Sequence, residues 1–119
     1  MTVSANNGSF PANNAEELKI ALNAACGEIW LGEGEDDYPC IAILCCEDGA
    51  SLNYFASEGG EMFVSVGNRL LRGTLDVNID GEMYQIERSQ IIPYDKVLPC
   101  AMEFMRNYAL PKSISWDKL

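Results

Sequence analysis

The sequence predicts a single α+β domain, with one antiparallel sheet of about six strands packed against two helices. Three observations carry this. Residues 40–46 (CIAILCC) contain no charge, glycine or proline and have the composition of a strand buried on both faces. Two segments, near 14–26 and 95–108, repeat apolar residues at helical spacing. Asp80-Gly81 lies between two alternating runs and marks a two-residue hairpin. The chain of 119 residues is sized for one core, and no repeat or linker divides it.

In chain order, residues 1–12 are small and polar, with Gly8 and Pro11, and predict a loosely ordered lead-in anchored by Phe10. Asn14 supplies a helix cap, Glu17 completes a box-like signal, and Leu18, Ala21, Leu22 and Ala25 form one stripe ending at Gly27. Residues 28–32 (EIWLG) predict a first strand. After residues 40–46, Glu47-Asp48-Gly49-Ala50 turns the chain, and residues 51–57 alternate, with Leu52, Tyr54 and Ala56 on one face. Residues 62–66 predict a further strand. Leu70 and Leu71 then fit either a buried loop or an exposed apolar patch.

The Asp80-Gly81 turn fixes a register in which Ile79 opposes Glu82, Val77 opposes Tyr84 and Leu75 opposes Ile86. One ribbon face is mainly apolar, and the other, exposed and largely acidic, carries Asp76, Asn78, Asp80, Gln85 and Glu87. In the last helix Val97, Leu98, Ala101, Phe104, Met105 and Tyr108 form a wide stripe. Pro99 predicts a later start near Lys96 or a kink. Residues 113–116 (SISW) predict a terminal strand.

Composition narrows the function. Eighteen acidic and eight basic residues give a net charge of −10, against the clustered cations that nucleic-acid binding needs. Such a surface suits solubility, or docking to a basic partner. There is no histidine, no GxSxG, no phosphate-binding glycine loop and no HExxH. No catalytic residue, metal or cofactor is therefore expected, and a hydrolase using two carboxylates stands as the enzymatic alternative. The five cysteines lie mostly in apolar segments without a CxxC pair and read as free, buried thiols. With no stretch long enough to span a membrane and no signal-peptide pattern at residues 1–14, the expected location is the cytoplasm.

The C-terminal third, PYDKVLPCAMEFMRNYALPKSISW, carries Ala101-x-x-Phe104 and then Leu110-Pro111-x-x-Ile114-x-Trp116. Together with GGEMFVSVGN at 59–68, it resembles the first-numbered immunity-protein family of bacterial polymorphic-toxin systems. The resemblance covers roughly residues 27–116 and is strongest after residue 91. It implies a small α+β protein, not an enzyme, that binds and blocks a cognate toxin domain, such as a nucleic-acid deaminase or nuclease with a basic cleft. In that setting Pro111 and Trp116 look like fold determinants rather than contacts.

The expected contact residues are the acidic loop Glu33, Glu35, Asp36 and Asp37 with Tyr38 as an aromatic anchor, the turn residues Glu58 and Glu61, and Asp76 and Asp80 on the ribbon. The loop lacks the alternating ligands and distal glutamate of a calcium-binding loop. A secretion-system adaptor that holds an export segment is the other binding alternative. No nucleic acid or membrane is expected as a partner, and the oligomeric state stays open.

Overall fold

The computed structural model describes residues 1–34 and 37–119. The chain runs β1 (Thr2–Ala5), β2 (Gly8–Pro11), α1 (Ala15–Ala24), β3 (Ile29–Gly32), β4 (Cys40–Cys46), β5 (Gly49–Phe55), β6 (Met62–Val66), β7 (Thr74–Ile79), β8 (Glu82–Glu87), a 3-10 turn (Arg88–Gln90), α2 (Tyr94–Asn107) and β9 (Ser115–Lys118). The architecture is α+β. Among the described residues, seven strands form an antiparallel sheet in the order β2-β1-β3-β4-β5-β6-β9, and β7 and β8 form a separate two-stranded ribbon.

The helices cover one face of the sheet. Ile41 and Ile43 of β4, Leu52 and Tyr54 of β5, and Ile29 and Leu31 of β3 alternate onto that face. They form a core with Leu18 and Ala21 of α1 and with Val97, Cys100, Ala101 and Phe104 of α2. Tyr54 sits at the centre of its aromatic part, with Phe63, Phe104 and Trp116 at ring-centroid distances of 6.0, 6.1 and 6.3 Å, all edge-on. Asn14 caps α1 as expected: its Oδ1 accepts from Glu17 N–H, and the Glu17 carboxylate accepts from Asn13 N–H.

The opposite face is partly covered by the ribbon. Leu44 and Cys46, which point away from the helices, pack against Ile86, Ile91, Leu75 and Val77. Vicinal Cys45 and Cys46 do point to opposite faces, Cys45 joining the helix-side core and Cys46 the ribbon side. The segment that brings the chain back from the ribbon lies against the β4–β5 turn through a bridge between Ala50 and Ile92. A Cβ on Gly49 would stand 1.9 Å from the Ile92 carbonyl oxygen, so only glycine permits this approach.

Several expectations need correction. Residues 1–12 are a hairpin rather than a loose lead-in: β1 pairs with β2 on one side and with β3 on the other, burying Val3 completely. The expected terminal strand lies two residues later, because the Glu103 carboxylate holds the backbone N–H groups of Lys112 and Ser113. Pro99 does not delay α2, which already begins at Tyr94. Leu70 and Leu71 are exposed, Leu70 by 86%. The expectation for Pro111 and Trp116 needs no correction: Pro111 is fully buried, its carbonyl accepts a 2.7 Å bond from the Trp116 indole N–H, and Trp116 packs against the core.

Candidate partner-binding cleft

The ribbon inclines over the helix-free face of the sheet and leaves a cleft of about 700 Å3 between its tip and β3. Four separate stretches of chain build it. Alternation along β1 and β3 puts Ser4 and Trp30, which are register partners, on this face, since their neighbours Val3 and Leu31 belong to the core. Trp30 is the aromatic surface of the cleft. One side of its indole stacks on Phe55 at 5.6 Å and 29°, and its N–H donates to Glu28 Oε1 at 2.7 Å.

The ribbon forms the facing wall. Because Leu75, Val77, Tyr84 and Ile86 share its inward face, the register turns Glu82 inward as well, at the end next to the turn. Tyr84 donates its phenol to Glu82 Oε2 at 3.0 Å, and this bond is the main cause of a raised Tyr84 pKa, with the Glu28 charge adding to it. Asp80, at the turn with φ of 52°, accepts a 2.7 Å bond from Asn6 Nδ2 that ties the ribbon tip to the β1–β2 hairpin. The third wall is the β3–β4 loop, which contributes Asp37 and Tyr38 before a cis peptide leads into Pro39.

The lining thus presents the carboxylates of Glu28, Asp37, Asp80 and Glu82 beside Trp30, Tyr38 and Tyr84, and among the described residues it includes no lysine or arginine. Each hydrogen bond named above holds an acid through a neutral donor, which fixes its position. Cys40 lies in the same lining, but burial raises its thiol pKa, so it stays protonated and unreactive near neutrality. Elsewhere, burial pushes Cys100 up to about 12 and Tyr94 likewise to about 12. Among the described residues, no group of three or more histidine, cysteine, aspartate or glutamate side chains is arranged to hold a metal ion.

Of the contact residues expected from sequence, the structure brings Asp37, Tyr38 and Asp80 together in this cleft. Glu33 is exposed in the same loop but is not among the residues that line the cleft. Glu35 and Asp36 lie outside the described residues. Glu58 and Glu61 sit in the β5–β6 turn, where Glu61 pairs with Lys118 at 3.3 Å. Asp76 is on the outward ribbon face. These three are not part of the cleft. Sequence reasoning did not select Glu28, Trp30, Glu82 or Tyr84. A signal existed for two of them, since the hairpin register itself put Glu82 opposite Ile79 and Tyr84 opposite Val77 on the mainly apolar face.

No helix of the described residues is long and apolar enough to cross a membrane. No protein-family model matches the chain, and no curated protein matches it.

Proposed function

We propose that this protein is an immunity-type inhibitor that binds a cognate toxin domain through the acidic, aromatic cleft and blocks it. The observation that carries the reading is the cleft: four carboxylates and three aromatic rings in one concave surface with no cation among them. A toxin acting on nucleic acid, a deaminase or nuclease, carries a basic substrate surface. An acidic inhibitor reaches such a surface quickly through electrostatic steering, and the net charge of −10 adds long-range attraction. Aromatic side chains in the contact supply buried area at little entropic cost. The resemblance of residues 59–68 and of the C-terminal third to an immunity-protein family supports the same function.

Affinity capture from native lysate, at low and at high salt, tests this when each recovered domain is then expressed alone and together with the protein. The expected result is one basic domain, released by salt, that arrests growth alone and is harmless in co-expression. Recovery of an unfolded export segment would replace the inhibitor with a secretion adaptor. A recovered domain whose toxicity is untouched by co-expression would refute the inhibitor reading.

A further inference from the structure

We propose that the cleft is a receptor for an arginine side chain, presented on a loop of the partner, with its guanidinium stacked on Trp30 between the carboxylates of Glu28, Asp80 and Glu82. This rests on the binding function proposed above and specifies what is bound.

The geometry favours a planar cation. Trp30 is held on one side by Phe55 and is still 36% exposed, its free surface lining the cleft. An indole is the strongest aromatic partner for a cation, and guanidinium stacks on such a ring while its N–H groups bond sideways. Three acids of the same lining are already positioned. Glu28 is fixed by the indole N–H, Asp80 by Asn6 and Glu82 by Tyr84, in each case through one oxygen. The other oxygen of each carboxylate remains to accept from the guanidinium fork. An ammonium group has neither the plane to stack nor the fork to bridge two acids, and it is more strongly hydrated. At about 700 Å3 the cleft exceeds one side chain, so the arginine enters with its flanking residues.

The test uses the intact protein and two probes of equal charge, the acetylated, amidated tripeptides of arginine and of lysine. NMR reads the two tryptophan indole N–H signals, assigned with Trp30→Phe. Trp116, bonded to the Pro111 carbonyl, is the internal control. Triarginine is expected to shift the Trp30 signal saturably, at a midpoint at least about threefold below that of trilysine, with Trp116 unmoved. Asp80→Asn with Glu82→Gln is expected to weaken the triarginine response by about fivefold or more, while Glu58→Gln with Glu61→Gln leaves it unchanged. Equal midpoints for the two peptides, an unmoved Trp30 signal, or an unaffected response in the Asp80→Asn, Glu82→Gln protein would each overturn the proposal. Selective arginine binding without protection from a toxin would remove the inhibitor function and leave the arginine site standing. Protection without arginine selectivity would do the reverse.

Discussion

Ser65 has no exposed surface, yet its hydroxyl joins three segments: it accepts from Leu52 N–H at 2.9 Å and donates to the Gln90 carbonyl at 2.7 Å. Ser65→Ala strands both partners in the interior. A loss of about 1–3 kcal/mol is expected in urea unfolding, and an unchanged midpoint would show that water replaces the hydroxyl. Glu103 plays a similar part after α2. Its pKa is lowered, chiefly by the Lys112 backbone N–H it accepts and then by Ser113. A carboxylate depressed in the folded state contributes stability above its unfolded pKa, and that contribution fades as pH falls through the folded value. Glu103→Gln should therefore lower stability at neutral pH and narrow the stability difference between neutral and acidic solution. Parallel pH profiles for the two proteins would contradict the role. Neither residue was legible in the sequence, because Ser65 and Glu103 are defined by partners from 9 to 25 positions away.

At the scale of elements, local signals were read well and distant pairings were not. The β7–β8 ribbon has the register that Asp80-Gly81 implies, pair for pair, because a two-residue turn with both φ values positive, 52° and 88°, sets its own geometry. Gly81→Ala should cost about 1 kcal/mol through that backbone conformation. Thermal denaturation checks it, and no loss would mean that the turn relaxes to another type. Gly49→Ala should cost more, since its Cβ would meet backbone rather than a movable side chain. The capped start of α1 and the existence of the β4–β5 hairpin were legible for the same local reason, although its turn is Glu47-Asp48 and β5 begins at Gly49, two residues before the expected strand. The N-terminal hairpin was not. Its four-residue strands carry mostly small or polar residues, and beside the local pairing with β2, β1 is held by β3, some 28 residues on. The same limit hid the ribbon's position over the sheet.

At the scale of the molecule, charge was evident from composition and class from the apolar patterning, whereas the cleft was not. It joins residues near positions 4–6, 28–32, 37–40 and 80–84, which come together only when the ribbon folds over β3. The acidic loop was noticed for its charge density, but concavity selects differently: it retains Asp37 and Tyr38 and adds Glu28, Trp30, Glu82 and Tyr84. In the proposed docking to a basic toxin domain, net charge and local cleft charge make separable contributions. The first governs encounter rate and falls with salt, and the second governs residence. The most direct measurement compares two variants that lose three negative charges each, in a growth assay against the captured toxin domain. One is Glu28→Gln, Asp80→Asn, Glu82→Gln in the cleft, and the other is Glu58→Gln, Glu61→Gln, Asp76→Asn outside it. With unfolding midpoints matched, the cleft variant should lose protection and the outer variant should keep it. Protection by the cleft variant equal to that of the unaltered protein would contradict the account.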